Sequence, residues 1–370
     1  MEPQRRTLAA ARFALAFAPT LLGVGAAEDA RPAELAQPPA RVELDPDAGA
    51  FTVVIVPDTQ HEVDTDPDTS ARLEFPWQLP RLERNAEWIC ENRDGLRIAA
   101  VLHVGDFVQA QPRGVHTQWD AASRLLDRLE GCGVPWLGAF GNHDCDAGPS
   151  GCAVPGGGDR AGNFQQYVMK RAAKQPEWQG AGPEIHPAHG RCGLGGAQRA
   201  PSRSGWIRFA KRFAALSLDW YPDCEAQTEW ARSVLEQHRA STHFILLGHA
   251  IARPGESPAC AASTEPGQAL RAGQLASGGG VLAIVGGHYV TDPNFSCYGD
   301  SRIGASRVIN VFSDFQTNLG ERTAGTLVLL RIDAAAPRER PNVCVRQFNP
   351  SLGKFDVSEP ERCFEVDALR

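Results

Sequence analysis

Apolar runs and helical apolar patterns alternate along the first part of the chain. Three apolar runs predict buried strands, at residues 51–56, 98–104 and 134–140. Between them, apolar residues recur at helical spacing in two segments, marked by Leu82, Ala86 and Ile89 and then by Trp119, Ala122, Leu125, Leu126 and Leu129. The order strand, helix, strand, helix, strand predicts an α/β domain.

The later part of the chain is less regular but carries further strand patterns. They predict a paired strand region at 209–218, a helix at 225–238, and strands at 243–247, 281–285, 308–312, 326–332 and 343–348. Residues 145–163 and 180–205 concentrate Gly, Pro, Cys and Ser, which predicts two long loops rather than a second core.

Five polar turns each follow one of these apolar runs. They read Asp58-Thr59-Gln60, Gly105-Asp106, Gly141-Asn142-His143-Asp144, Gly248-His249 and Gly287-His288. Carboxylate, amide and imidazole groups are ligands of divalent metal ions, and one edge of a sheet could gather all five strand ends. The pattern indicates a metal-dependent hydrolase. His103, in contrast, lies inside an apolar run and is predicted to be a hydrogen-bonded core histidine.

The ordered series resembles the calcineurin-like metallophosphoesterase superfamily. That family has Asp-x-His, Gly-Asp, Gly-Asn-His-Asp/Glu, Gly-His and Gly-His-x-His in this chain order. A branch that opens with Pro-Asp-Thr-Gln is most similar, because residues 57–60 have this sequence and residues 314–316 match its late Asp-Phe-Gln. Two positions depart from the superfamily pattern, since Gln60 replaces the first His and Val290 replaces the last.

The resemblance implies an α/β fold, a four-layer αββα sandwich of two mixed sheets. It also implies a site for one or two divalent metal ions, with manganese, iron, zinc and calcium all open. Asp106 would bridge two cations. Asn142, His249 and His288 would complete one cation site, whereas the other would keep Asp58 and Gln60. His61 or Asp292 could fill the position that Val290 leaves.

The implied activity is hydrolysis of a phosphomonoester or phosphodiester by a metal-bound hydroxide. His143 would be catalytic and donate a hydrogen bond or proton to the leaving group, while Asp144 orients and charges its ring. The alternative is a metal-binding or surface-binding protein that has kept the fold with weakened catalysis, which Val290 favours. Four aromatic residues could stack on a substrate or pack in the core, namely Phe164, Tyr167, Trp178 and Trp206.

The N-terminus has the features of a secretory signal peptide. Basic residues precede a mostly apolar stretch from Phe13 to Val24, and Gly25-Ala26-Ala27 supplies small residues for cleavage. The stretch contains Pro19 and is shorter than the ~20 residues of a membrane span, so a stable anchor is not expected. We therefore predict a signal peptide over 1–27, a flexible lead over 28–50, a phosphoesterase domain over 51–335 and a disulfide-linked C-terminal strand extension over 336–370. The mature protein would be secreted or periplasmic.

Ten cysteines, an even number, agree with an oxidising compartment. The predicted pairs are Cys90–Cys132, Cys145–Cys152 and Cys344–Cys363, with Cys192–Cys224 and Cys260–Cys297 using the remainder. Lys and Arg number 37 against 44 Asp and Glu, without a dense basic stripe, so no nucleic-acid groove is expected. The expected partner is a phosphoester substrate, and the sequence does not indicate an oligomeric state.

Overall fold

Two mixed sheets form the centre of the molecule. The described strands of the first sheet are β1 Phe51–Val56, β2 Ile98–His103, β3 Trp136–Gly138, β13 Leu327–Ile332, β14 Val343–Asn349, β15 Lys354–Phe355 and β16 Arg362–Phe364. They lie in the order β15-β14-β13-β1-β2-β3, with β16 also paired to β14.

The described strands of the second sheet are β4 Trp178–Ala181, β5 Gly205–Ala210, β6 Phe213–Ser217, β7 His243–Leu247, β10 Val281–Gly286, β11 Ser296–Ile303 and β12 Ser306–Ser313. They lie in the order β11-β12-β10-β7-β6-β5-β4. Strands β8 Ala252–Pro254 and β9 Cys260–Ala262 form a separate two-stranded ribbon.

The molecule is known from a computed structural model. It describes residues 44–63, 79–109, 111, 114–146, 161–183, 202–220, 225–254, 260–262, 275–289, 296–303, 306–315, 325–337, 340, 342–355, 361–366 and 369. All of these residues belong to one compact unit that spans 38–370.

Parallel pairing directs several strand ends to the same edge of each sheet. In the first sheet β1, β2 and β3 are parallel, and β13 pairs antiparallel to β1. In the second sheet β6, β7, β10 and β12 are parallel neighbours. Each of the five polar turns of the sequence follows the carboxyl end of one of these seven strands.

Both faces of the central strands are covered, which explains their continuous apolar sequences. Along β1, Phe51, Val53 and Ile55 belong to the core between the two sheets, whereas Val54 and Val56 belong to the core beneath the helices. A third apolar layer separates the second sheet from its own helix. The predicted four-layer αββα sandwich of two mixed sheets is therefore confirmed.

The helices cover the outer faces of the sheets. Their bounds are α1 Gln60–Val63, α2 Leu79–Asn92, α3 Thr117–Gly131, α4 Gly162–Phe164 continued by Gln165–Met169 and Lys170–Ala172, and α5 Glu225–His238. In α2, Leu82, Ala86 and Ile89 form the buried face, as their spacing predicts. No helix among the described residues is long and apolar enough to cross a membrane.

Two of the predicted disulfides are present between described residues. Cys90–Cys132 joins α2 to the end of α3, with Cα atoms 5.8 Å apart, and Cys344–Cys363 joins β14 to β16. Cys145 and Cys297 are also disulfide-bonded. The partners predicted for these two, Cys152 and Cys260, and the pair Cys192–Cys224 lie outside the part of the chain whose side chains are described.

Most of the two predicted long loops, 145–163 and 180–205, lies outside the described residues, and helices or strands overlap only the ends of these ranges. Helix α4 begins at Gly162, and β4 occupies Trp178–Ala181. The middle part of α4 is a π-helix, so its apolar residues do not follow regular α-helical spacing. Strand β4 is half exposed at the sheet edge and contains Gly180, which leaves it with a weak strand pattern.

Candidate metal centre

The strand ends bring the predicted metal-ligating residues together. Asp58 follows β1, Asp106 follows β2, Asn142 follows β3, His249 follows β7 and His288 follows β10. The side chains of Asp58, Asp106 and His249 are buried, although each can carry a charge. Buried charges need compensation from partners or a bound ion. Residues that follow strands of both sheets therefore form one buried cluster of charged side chains.

Glycines and strained backbone allow this close approach. A Cβ atom added at Gly141 would lie 2.1 Å from Asp106 Oδ1, and one at Gly287 would lie 2.5 Å from Asp58 Oδ1. Asp106 and His288 themselves have positive φ angles of 51° and 76°. Such conformations cost about 1–3 kcal/mol each and concentrate at functional sites. Two of the three non-glycine residues with positive φ in the described chain thus lie in this cluster.

His249 has its two ring nitrogens in different surroundings. Nδ1 donates to the carbonyl of Val104 at 3.1 Å. Nε2 lies 3.1 Å from Asn142 Oδ1 and 3.0 Å from Asp106 Oδ2. Two oxygens can face one ring nitrogen only if a proton or a cation lies between them. Because a neutral histidine with Nδ1–H presents a lone pair at Nε2, the arrangement is suited to a metal ion.

Asp106 and His288 fit the same interpretation. Asp106 Oδ1 accepts from the main-chain N–H of His143 at 2.9 Å, but Oδ2 is buried and receives no aligned hydrogen bond within the described chain. Asp106, His249 and His288 each place one ligand atom within 4.8 Å of the others. These three residues form a group that could hold one divalent cation with mixed oxygen and nitrogen ligands.

The charges of the cluster shift the pKa values of its members. Burial alone would lower the pKa of His249, but the carboxylates of Asp106 and Asp58 raise it to about 10. Burial would raise the pKa of Asp106, yet His249 and the His143 main-chain N–H hold it below its ordinary value. Burial and the charge of His249 lower the pKa of His288 to about 4. In the metal-free cluster these shifts favour a protonated His249 beside an ionised Asp106.

The part of the cluster around Asp58 contains fewer nitrogen ligands. Asp58 Oδ2 accepts from the main-chain N–H of His288 at 2.9 Å, and Gln60 is buried at the start of α1. His61 is half-buried, and burial together with the charge of His143 lowers its pKa to about 4. Val290 and Asp292 lie outside the described residues, so the proposed substitute Asp292 remains a prediction.

His143 is held by a different group from the one predicted. Its Nδ1 donates to the carbonyl of Gln109 at 2.5 Å, which leaves Nε2 as the other nitrogen for a ligand. Asp144 instead accepts from the main-chain N–H groups of Phe107 at 2.7 Å and Gly141 at 2.9 Å. The role predicted for Asp144, orienting the His143 ring, is therefore corrected. Asp144 ties together the two turns that carry Asp106 and Asn142.

Sequence patterns did not indicate Trp220. It follows β6, and its ring centroid lies 4.6 Å from that of His288 and 5.4 Å from that of His249. Asp219, beside it, forms a buried ion pair with Arg203 at 2.8 Å, and Arg203 lies over Phe140. The only available signal was position, because Asp219-Trp220 is a further polar turn after a parallel strand.

Other polar and aromatic residues near the site have core roles. His103 is buried, accepts from the Gly105 N–H at Nδ1 and contacts the Thr59 hydroxyl through Nε2. Burial lowers its pKa to about 3, which confirms the prediction of a hydrogen-bonded core histidine. Phe164 and Trp206 pack in apolar clusters, so they do not form the substrate-stacking surface considered from the sequence.

Comparisons with known proteins identify one family. The family model for calcineurin-like phosphoesterases matches residues 51–292. Similar solved structures include a dimetal phosphatase from Danio rerio, with 13% identity, a TM-score of 0.48 and coverage of 81% of this chain and 96% of that chain. GAP50, described as the anchor in the inner membrane complex of Plasmodium, has 10% identity, a TM-score of 0.46 and coverage of 86% and 90%. The calcineurin-like phosphoesterase YfkN from Bacillus subtilis has 13% identity, a TM-score of 0.42 and coverage of 85% and 91%. No curated protein matched the sequence.

Proposed function

The chain belongs to the calcineurin-like phosphoesterase family, and we propose that it is a metal-dependent hydrolase of a phosphomonoester or phosphodiester. The observation that carries this proposal is the environment of His249 Nε2. It faces oxygens of Asn142 and Asp106 at 3.1 and 3.0 Å, in a buried cluster that needs a proton or a cation to be stable.

The chain offers donors for a bound cation on both sides of Asp106. Asn142, His249 and His288 would hold one cation, and Asp58 and Gln60 contribute on the other side. When bound, divalent cations offset the negative charge of phosphate oxygens and lower the pKa of a coordinated water. The carbonyl of Val104 fixes the His249 ring so that Nε2 faces the cluster.

His143 is the residue we assign to the leaving group. Its main-chain N–H is bonded to Asp106, and its Nδ1–H is bonded to the Gln109 carbonyl. These two contacts hold the ring beside the metal centre and leave Nε2 to donate a hydrogen bond or proton to the departing oxygen. General acid catalysis of this kind is worth roughly 10²- to 10⁴-fold in rate.

The test combines metal analysis with two simple substrates. Purified protein is stripped with a chelator, reloaded with MnCl₂, ZnCl₂ or CaCl₂, and assayed with p-nitrophenyl phosphate and bis(p-nitrophenyl) phosphate. We expect turnover of at least one substrate that depends on the added metal. The Asp106→Asn variant is the negative control. Protein that binds cations but hydrolyses neither ester at any metal loading would contradict the hydrolase proposal.

A second candidate function rests on Val290. This residue stands where the superfamily pattern has its last imidazole, and the loss of one nitrogen ligand would weaken catalysis. In that case the chain would be a metal-binding or surface-binding protein on the same scaffold. Stoichiometric metal without turnover in the experiment above would favour this candidate.

We also propose export to the periplasm or the exterior, on the basis of the N-terminal sequence and the cysteine pairs. The bridges Cys90–Cys132 and Cys344–Cys363 are typical of oxidising compartments. Mass spectrometry of the exported protein should find an N-terminus near Glu28 and few thiols that react with maleimide. A full-length chain with most of its ten cysteines free would contradict export.

A further inference from the structure

The first sheet carries a pocket beyond the end of α2. Trp88 of α2 stacks on Phe348 of β14, with ring centroids 4.5 Å apart, and the helix ends at Asn92. The turn of residues 93–97 then leads into β2. This turn and the strands β1, β13 and β14 form a pocket of about 300 Å³. It is lined by Ala50, Thr52, Gly95, Leu96, Arg97, Leu329, Arg331 and Arg346.

The charged residues that line this pocket are all arginines, and none of the described residues around it is acidic. Strand pairing brings two of them to one face of the sheet. Arg331 is directly opposite Thr52, and Arg346 is the diagonal neighbour of Arg331 across β13 and β14. Arg97 is next to Thr52, whose main-chain N–H donates to the Arg97 carbonyl at 3.1 Å. Like charges on neighbouring strands repel, so an anion in the pocket would stabilise this face.

The three guanidinium groups keep donors for a ligand. Arg331 is exposed and forms no hydrogen bond or ion pair within the part of the chain that the structure describes. Arg346 has one carboxylate near it, that of Glu361, at 3.9 Å. Arg97 is fixed by two main-chain carbonyls, at 2.8 and 3.3 Å, and has a φ of 50°. Because a guanidinium has five N–H donors, these contacts leave several donors unused.

We propose that this arginine pocket binds a small oxyanion with at least two negative charges, either inorganic phosphate or a phosphate group on a larger molecule. Guanidinium groups bind phosphate oxygens through paired N–H donors, which gives both strength and orientation. The volume of about 300 Å³ is large enough for such a group, because small-molecule sites begin at about this size.

The arginine pocket is separate from the metal centre. Thr52 lies near the amino end of β1, whereas Asp58 follows its carboxyl end. The two residues are six positions apart, which corresponds to about 20 Å along a strand. Anion binding in this pocket therefore does not depend on the proposed hydrolysis.

The test measures anion binding by metal-free protein, so that bound cations do not contribute. Protein stripped of metal and dialysed free of chelator is titrated calorimetrically with sodium phosphate at constant ionic strength. We expect one phosphate per chain, displaced by sulfate but not by chloride. In Arg331→Gln, binding should weaken at least about tenfold, because charge-assisted hydrogen bonds are lost. Arg302→Gln is the matched control, since Arg302 is an exposed arginine on β11 of the other sheet.

Gly95 offers a second test that leaves the arginines in place. A Cβ atom added at Gly95 would have no atom within 4 Å, and the same holds for Gly131 at the end of α3. Gly95→Glu adds a carboxylate at the pocket that would pair with the arginines, so phosphate binding should be lost. Gly131→Glu adds the same charge outside the pocket and should bind phosphate like the natural chain. Circular dichroism should show the natural fold in both variants.

A titration with glycerol phosphate distinguishes the two sources of the ligand. Tighter binding of glycerol phosphate than of inorganic phosphate would indicate a phosphate group on a larger molecule, and the reverse order would indicate the free ion. The proposal is overturned if the natural chain binds no phosphate at about 10 mM. Displacement by chloride, or unchanged affinity in folded Arg331→Gln and Gly95→Glu, would also overturn it. Phosphoester hydrolysis is not measured here, so this pocket and the proposed function can fail independently.

Discussion

The two sides of the proposed metal centre would share Asp106 but differ in chemistry. One side offers an amide and two imidazoles, from Asn142, His249 and His288, whereas the other offers the oxygens of Asp58 and Gln60. On the nitrogen-containing side the protein fixes the ring of His249 through the Val104 carbonyl and packs Trp220 against both imidazoles. On the oxygen-rich side, burial raises the pKa of Asp58, and the charges of Asp314 and Asp106 raise it further, so a bound cation would stabilise the ionised carboxylate.

This difference suggests how a two-cation site can change one ligand without losing its framework. The Asp106 carboxylate is held by its own positive-φ backbone and by the His143 N–H. We therefore expect a missing imidazole at position 290 to weaken one side only. We expect the nitrogen-containing side to bind zinc, iron or manganese tightly, and the other side to bind harder cations more weakly.

Removal of the shared carboxylate should have the largest effect. Asp106→Asn eliminates the charge that both sides use, so we expect a loss of both cations and a fall in kcat/KM of more than about 10⁴-fold. Inductively coupled plasma mass spectrometry gives the stoichiometry, and circular dichroism checks the fold. Asp300→Asn, which removes an exposed carboxylate paired with Arg307 on the β11–β12 hairpin, is a control that should keep normal metal content. Two cations per chain in Asp106→Asn would refute the shared role.

Substitution of His143 should separate proton donation from metal binding on both sides. His143→Gln keeps the main-chain N–H to Asp106, so metal content should stay normal while kcat falls by roughly 10²- to 10⁴-fold for alkyl phosphates. The loss should be smaller for p-nitrophenyl phosphate, whose leaving group needs little protonation. An equal loss for leaving groups of high and low pKa would argue against the acid role.

The fold was more predictable from the sequence than the contacts of the site. The bounds of β1, α5 and β7 agree with the predicted ranges, because buried strands and an amphipathic helix leave strong apolar patterns. The five polar turns do converge, since parallel strands direct their carboxyl ends to one edge. The sequence could not show that a carbonyl, that of Gln109, holds His143, because every residue has a carbonyl and only loop conformation selects one.

Asp144 and Trp220 illustrate the same limit on side chains. An acid directly after a histidine resembles an orienting partner, yet the turn directs the Asp144 carboxylate to the N–H groups of Phe107 and Gly141. Trp220 belongs to no motif and reaches the site only because β6 pairs in parallel with β7. Both contacts depend on the three-dimensional course of turns, which residue types alone do not determine.

A matched pair of substitutions compares the two sides directly. Asn142→Ala should weaken the more tightly bound cation about 10- to 100-fold, and Gln60→Ala should weaken the second cation less than about tenfold, because a neutral amide is one of several oxygens there. Isothermal titration with ZnCl₂ and with MnCl₂ distinguishes the two positions. Weaker zinc binding in Gln60→Ala together with unchanged zinc binding in Asn142→Ala would contradict the assignment of these two residues to the two sides.

The smallest expected effect is on the stability of the metal-free protein at alkaline pH. The pKa of His249 is raised from 6.5 to about 10 in the folded state, so its protonation stabilises the fold fully below pH 6.5. That stabilisation is lost as the pH rises toward 10. With a chelator present, we expect Tm to fall by a few degrees between pH 6.5 and pH 9.5. A bound cation replaces the proton on Nε2, so the metal-loaded protein should lose less stability over this range. His249→Gln removes the titrating group and should flatten the pH dependence of Tm in the metal-free protein. Lys and Tyr residues also titrate at alkaline pH, but they are the same in both proteins. An identical slope in the natural chain and in His249→Gln would mean that His249 Nε2 carries no proton in the metal-free cluster, and that the nitrogen-containing side is balanced in another way.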